Sequence, residues 1–261
     1  MNILDQIIAS KKREVALKKS IIPIKQLEQS VLFEQKTNSL VHCLLNSSSG
    51  IIAEHKRRSP SKSVINQSNS VEEIVKCYEN GGATGISILT DNQYFGGSLD
   101  DLILARATTN LPLLRKDFMV DEFQIIEAKA FGADVILLIA AVLTREEIKN
   151  LSELAKSLKL EVLLEVHNQE ELDKSIMPTL DLIGVNNRNL KTFEVNLDYS
   201  KQLAENIPND FIKISESGID SAAAVSELKN FGFKGFLMGE YFMKSENHES
   251  EMKKFINKIK I

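Results

Sequence analysis

The chain has 261 residues, 43% hydrophobic and 26% charged, which suits one large domain with an ample core in an ordinary soluble protein. A formal net charge of -4 and a pI near 5.7 argue against a general polyanion binder, because nucleic-acid modules carry a basic excess. Cys43 and Cys77 are too few for a disulfide framework and have no metal-ligand spacing around them, so both are expected to pack as small side chains in a reduced, cytoplasmic setting.

The first twenty residues lack the apolar core and cleavage site of a secretory signal, and no apolar run approaches the ~20 residues that cross a bilayer. Ile3, Leu4, Ile7, Ile8 and Val15 instead share one helical stripe, expected to dock on the protein itself rather than on a membrane. Pro23 breaks this helix, and a second helical stretch over 24–33 leads through a polar segment at 34–38 towards residue 51.

From there one unit recurs: a short apolar strand, a loop, an amphipathic helix. Strands are expected at 50–56, 85–89, 111–116, 134–139, 160–166, 182–186, 211–215 and 235–238. Helices are expected at 71–80, 99–108, 122–131, 145–158, 170–177, 199–205 and 222–231, several closing on glycine, as at Gly82, Gly132 and Gly232. About eight such units predict an α/β fold, a (β/α)8 TIM barrel (48–261) with an N-terminal helical extension (1–47), all in a single domain over 1–261. A doubly wound open sheet is the rival, but no Gly-rich dinucleotide loop follows the first strand.

Parallel strands are usually sealed on both faces and read as unbroken apolar runs. Here several end in charge. In the first, alternation points Ile52, Glu54 and Lys56 one way and Ala53 and His55 the other, before a basic, hydroxyl-rich loop over 57–63. Later strands close on Lys116, on Glu165, on Asn186 with Arg188, and on Glu216. Each alone reads as a solvated strand end or a surface ion pair, yet in a barrel all of these ends meet at one mouth. Mixed acids and bases gathered there suit proton transfer. Ser217 and Gly218 after the seventh strand, and Gly239 and Glu240 after the eighth, stand where barrel enzymes hold phosphate, so a phosphorylated small molecule is the expected occupant.

Taken together these residues resemble the indole-3-glycerol-phosphate synthase family of tryptophan biosynthesis over nearly the whole chain. The likeness rests on Ala53-Glu54-His55-Lys56-Arg57-Arg58-Ser59-Pro60-Ser61, Leu89-Thr90-Asp91, Tyr94-Phe95-Gly96-Gly97-Ser98, and Arg115-Lys116-Asp117-Phe118 with Asp121 and Gln124. It continues through Leu137-Leu138-Ile139, Glu165-Val166-His167, Gly184-Val185-Asn186-Asn187-Arg188-Asn189-Leu190, Ser215-Glu216-Ser217-Gly218-Ile219 and Met238-Gly239-Glu240. Ser63 stands where the family usually has glycine, which bears on the motion of that loop, and Glu240 occupies a position that varies between small and acidic residues.

The resemblance implies a lyase that closes 1-(2-carboxyphenylamino)-1-deoxyribulose 5-phosphate to indole-3-glycerol phosphate with loss of carbon dioxide and water, without cofactor or metal. It makes Lys116 the general acid and Glu165 the base, with Asn186 holding the substrate hydroxyl or Glu165. Lys56 pairs with the substrate carboxylate or phosphate or delivers a proton in the dehydration step, so that which lysine serves which step stays open; Glu54 and Glu216 place the lysines, and Arg188 adds charge stabilisation. Ser59 and Pro60 belong to the binding loop, Phe95, Phe118, Leu137 and Leu190 pack on the aromatic ring, and Ser217, Gly218, Gly239 and Glu240 meet the phosphate through their backbone. It also implies a monomer, open to association with other enzymes of the pathway but not with nucleic acid or membrane. A phosphosugar isomerase on the same barrel would want a similar acid, base and phosphate cradle, but not Phe95 and Phe118; a sugar-phosphate binder without turnover would need neither Lys116 nor Glu165. His42, His55, His167 and His248 show no partner arrangement and are expected to be structural.

Overall fold

Apolar runs of four to six residues alternate with capped helices, and a computed structural model, describing residues 2–60, 62–65, 69–189 and 192–259, closes these runs into a barrel. Three helices come first: α1 (Ile3–Ile21), α2 (Ile24–Glu28) and α3 (Leu40–Asn46). The barrel then runs β1 (Ile51–His55), α4 (Val71–Gly81), β2 (Gly85–Leu89), α5 (Asn92–Phe95), α6 (Leu99–Thr108), β3 (Leu113–Lys116), α7 (Glu122–Ala130) and β4 (Val135–Ile139). It continues with α8 (Arg145–Ser157), β5 (Glu161–Val166), α9 (Gln169–Ser175), β6 (Leu182–Asn186), α10 (Asp198–Ala204), β7 (Ile212–Glu216), α11 (Ala222–Asn230), β8 (Gly235–Met238), α12 (Glu240–Met243) and α13 (His248–Ile259). Every strand lies parallel to its neighbours in sequence, and β8 pairs with β1 to leave no edge.

Local chemistry sets the boundaries. Ser70 with Glu73 and Thr144 with Glu147 cap α4 and α8 reciprocally, satisfying N–H groups that the first turn leaves without partners. Gly82 ends α4 in the left-handed region at φ 96, where a Cβ would be strained.

Period two then sorts the side chains. Ile52, Leu114, Val135, Leu137, Leu163, Leu182, Ile214 and Leu237 fill the barrel interior, while Ala53, Ile86, Ile88, Ile136, Leu138 and Val185 pack outward under the helices. One step further along the inward set come Glu54, Lys116, Glu165, Asn186 and Glu216, at the C-terminal mouth.

The floor is closed by α3, which the sequence reading passes over as part of the approach to β1. Leu40 and Leu44 join the interior cluster, and small residues at the strand starts make room for them. A Cβ on Gly85 would lie 2.7 Å from Leu40 Cδ1. Glu161 at the start of β5 accepts the N–H groups of Leu40 and Val41 at 2.8 and 3.1 Å, holding the helix in place.

The second expected helix, over 24–33, stops at Glu28 and continues as turns. The C-terminal α13 is also absent from the sequence reading, although His248, Met252, Phe255, Ile256 and Ile259 form a buried helical stripe. The stripe of α1 docks on the protein: Val15 packs with Leu27, Phe123, Ile126 and Ala130. Lys11, 2% exposed, pairs with Asp91 and Asp117 at 3.0 Å each, one just beyond β2 and the other just beyond β3.

Candidate active site

One cavity of about 210 Å³ opens at the mouth, and Glu54, Lys56, Lys116, Glu165, Asn186, Arg188 and Glu216 all line it. Ser59, Pro60, Phe95, Phe118, Leu137, Ser217, Gly218, Gly239 and Glu240 line the same cavity, whereas Leu190 lies outside the described residues. Residues spread over almost two hundred positions of sequence therefore face one space.

The Lys116 ammonium bonds to Glu216 Oε2 and stands 3.5 Å from Glu165 Oε2. Burial by itself would push this lysine down, but Glu216, Glu165 and Glu54 outweigh it and hold it above the ordinary lysine range. Glu165 and Glu54 would rise on burial; Lys116 and His167 keep the first below the usual carboxylate range, and Lys56 and Lys116 the second. For Glu216 burial prevails. Despite Lys116, with Glu165 and Glu54 adding repulsion, it is pushed up to about 7, so one carboxyl of the group holds a proton near neutrality.

Positions around this cluster are tightly set. Asn186 Nδ2 donates to Glu165 Oε1 at 3.1 Å, and its Oδ1 accepts the Arg188 N–H at 3.0 Å. Lys56 donates to Glu54 Oε1 at 2.7 Å. Two glycines leave space for the carboxylates: a Cβ on Gly184 would lie 2.2 Å from Glu216 Oε1, and one on Gly239 would lie 2.9 Å from Glu54 Cβ.

The cavity has an apolar side and a side formed by the turns after β7 and β8. Phe95 and Phe118 form a tilted pair with ring centroids 6.0 Å apart, joined by Leu137 and by Ile3, Leu4 and Ile7 of α1. Opposite in character, Ser217 and Gly218 carry successive left-handed backbones at φ 67 and 75, which costs about 1 kcal/mol at the serine. Asn187 supports that bend, its Nδ2 donating to the Glu216 and Ser217 carbonyls at 3.0 and 3.1 Å while its Oδ1 accepts from Ser200.

The loop after β1 is pinned on both sides. Arg57 grips Asp101 and donates to the Gly96 carbonyl at 3.0 Å, and Arg58 donates to the Asn92 carbonyl at 2.7 Å. Lys62 pairs with Glu240, which also holds Lys244 at 2.6 Å. Burial opposes ionisation of Glu240, but these lysines hold it down to about 2. Its side chain is thus engaged by the two lysines.

The sequence reading is corrected at His167. Far from lacking partners, its Nε2 lies 3.5 Å from Glu165 Oε1 and its Nδ1 lies 3.1 Å from Glu171 Oε2. The signal was present, since alternation puts residue 167 on the face of residue 165. His55 does turn outward, and burial together with Arg57 pushes it down to about 4. Lys11 and Asn187 were also missed as supporting residues; nothing in a lone helical lysine announces two distant aspartates.

A family model described as indole-3-glycerol phosphate synthase matches residues 4–255. The chain belongs to the indole-3-glycerol phosphate synthase family. It is 47% identical over 258 residues to an indole-3-glycerol phosphate synthase of Bacteroides thetaiotaomicron, covering 99% of both chains. It is 40% identical over 261 residues to one of Aliarcobacter butzleri, covering 98% of this chain and 99% of the other. Among solved structures it is similar in fold to 3-hexulose-6-phosphate synthase from Salmonella typhimurium, with TM-score 0.64 and 12% identity over 80% of this chain and 98% of that one. A mutant tryptophan synthase alpha-subunit from Pyrococcus furiosus gives TM-score 0.59 and 14% identity over 81% and 97%.

As an indole-3-glycerol phosphate synthase the protein is a carboxy-lyase of tryptophan biosynthesis, acting on a phosphorylated small molecule. It closes the carboxyphenylamino-deoxyribulose phosphate to the indole with loss of carbon dioxide and water. Among the described residues no helix is long and apolar enough to cross a membrane.

Proposed function

We propose that the cluster at the mouth divides the ring closure between one acid and one base. The carrying observation is the half-buried Lys116 side chain, its Nζ held beside Glu165 and Glu216 in a cavity with one apolar wall. Lys116 donates to the ketone oxygen as the aromatic carbon attacks, and again to the hydroxyl that leaves as water. Glu165 removes the ring proton that lets the indole form, steered by Asn186. Both act within hydrogen-bond reach of one another, as paired proton transfer requires.

Lys56, tethered to Glu54, meets the substrate carboxylate and releases it as carbon dioxide forms. Glu54 and Glu216 keep the two ammonium groups in place, and Arg188 stabilises charge near the reacting centre. Phe95, Phe118 and Leu137 clasp the aromatic ring with Ser59 and Pro60 at the rim, and Leu190 is assigned to the same wall by resemblance. Backbone groups of Ser217, Gly218, Gly239 and Glu240 take the phosphate, supported by the left-handed bend after β7.

The chain further reads as a single-domain cytoplasmic monomer, residues 1–47 serving as an extension of the 48–261 barrel. Association with other enzymes of the pathway would use outer surfaces.

Lys116→Met and Glu165→Gln test the assignment. Each is expected to keep a native circular-dichroism spectrum while turnover, followed by indole fluorescence in a protein without tryptophan, falls about 10²- to 10⁴-fold. Near-normal turnover by either variant would remove that residue from its role.

A further inference from the structure

Asn187 follows directly on β6 and is fully buried; alternation turns it away from the side on which Asn186 faces the cavity. Every polar atom it carries is engaged. Its Nδ2 donates to Ser215 Oγ at 2.9 Å and to the Glu216 and Ser217 carbonyls at 3.0 and 3.1 Å. Its Oδ1 accepts the Ser200 N–H at 3.1 Å and the Ser200 hydroxyl at 2.8 Å. The backbone adds a bond from the Asn187 N–H to the Glu216 carbonyl at 2.9 Å, and another from the Asn196 N–H to the Asn187 carbonyl at 3.0 Å. Only this orientation of the amide serves, because carbonyls only accept and the Ser200 N–H only donates.

Peptide planarity turns these bonds into a direction. In a trans unit the N–H runs opposite to the carbonyl, and the described chain has no cis peptide. With the Glu216 and Ser217 carbonyls held on Asn187, the N–H groups of Ser217 and Gly218 point the other way, towards the cavity that both residues line. Glycine is required at the second of them: its φ is 75, and a Cβ there would lie 2.2 Å from Val195 Cγ1. Two successive N–H groups in such a bend make a concavity suited to an anion. Resting on the assignment of the phosphate to this turn, we propose that Asn187 is the positioning residue that aims these two N–H groups, and so sets the preference of the site for a phosphorylated ligand over the same ligand without phosphate.

Among the described residues Asn187 is not part of the cavity wall, so it acts only through the turn it holds. Without its amide the two carbonyls are free to rotate, and the N–H groups behind them lose their common aim. Lys116, Glu165 and Asn186 keep their own bonds to one another. The phosphate takes no part in the bonds made and broken, so its grip is felt equally by substrate and transition state. Loss of that grip is therefore read in KM and not in kcat.

The test is Asn187→Ala, titrated at equilibrium with indole-3-glycerol phosphate and with its dephosphorylated form, indole-3-glycerol, by the indole fluorescence that a protein without tryptophan leaves clear. The native protein is expected to prefer the phosphorylated compound by at least about 100-fold. The variant loses at least about 10-fold of that preference, while its affinity for indole-3-glycerol stays within about twofold of native. In turnover KM rises at least about 10-fold and kcat stays within about threefold. Ser200→Ala removes one of the two donors to Asn187 Oδ1, is expected to lower the preference about 3-fold, and decides the matter should Asn187→Ala not fold. Equal weakening of both ligands, as a general loss of structure would give, or an unchanged preference, or a fall in kcat with KM unchanged, overturns the proposal. A native protein that binds the two compounds equally overturns the phosphate assignment itself, so the two failures are told apart.

Discussion

Lys11 allows a worked perturbation, because a single ammonium joins α1 to two loops of the mouth. Lys11→Met keeps length and removes the charge, leaving Asp91 and Asp117 buried without it. Losing one partner of a buried ion pair costs about 3 to 5 kcal/mol. The low end applies, since Asp117 retains Arg115 at 3.2 Å and Thr90 at 2.6 Å, and Asp91 still caps α5 by accepting the Tyr94 N–H at 2.8 Å. About 3 kcal/mol corresponds to a melting temperature lower by about 6 to 12 °C in a domain of this size.

The pH dependence has a definite sign. Asp117, which burial would raise, is held well below the usual carboxylate range by Lys11 and Arg115, so its stabilisation is present above about pH 4 and lost as pH falls through the folded value. Lys11 is raised by Asp117 and Asp91 against the effect of burial, so its share persists below about pH 10 and is lost only above. The native-minus-variant gap should be flat between those limits and shrink in acid. Circular-dichroism melts near pH 7 and near pH 3 read this directly, with KM as a second measure because Ile3, Leu4 and Ile7 of the same helix line the cavity. A melting change under about 2 °C near pH 7, or a gap undiminished in acid, would refute the account.

Glu216→Gln is expected to lose activity yet melt higher than the native protein near pH 8. Its folded value of about 7 lies above the unfolded ~4.3, so the native chain loses stability as pH rises through that window and the variant does not; melts at several pH values check the crossover. Phe118→Ala removes one ring of the apolar wall and should weaken substrate binding by about 1 kcal/mol or more, seen as KM rising several-fold with kcat little changed. Gly239→Ala places a methyl 2.9 Å from Glu54 Cβ, which cannot swing aside as a side-chain tip could. Displacing Glu54 and the Lys56 it holds should lower kcat at least about 10-fold with little change in the melt; unchanged kinetics would mean the mouth is looser than this contact requires.

Period two and recurrence made the barrel legible. Apolar strands ending in Glu54, Lys116, Glu165, Asn186 and Glu216 could be read as one inward-facing layer, because alternation is fixed by the strand itself. The same rule puts His167 on the face of Glu165, just as it turns His55 away from the mouth. The stripe of α13 was equally available, whereas α3, seven residues long after a polar stretch, gave little pattern to read.

What the linear chain determined by itself was the order of its strands, which side chains enter the barrel and which end carries the charge, since each follows from the stereochemistry of a few adjacent residues. What only the tertiary structure decided is which charges neutralise which: Lys11 between Asp91 and Asp117, Lys116 against Glu216 and not Glu165 alone, Lys62 on Glu240, and how far burial pushes Glu216 up. Those pairings join residues up to 178 positions apart, and their energies depend on separations of a few ångströms and on burial. Neither quantity exists until the barrel has closed.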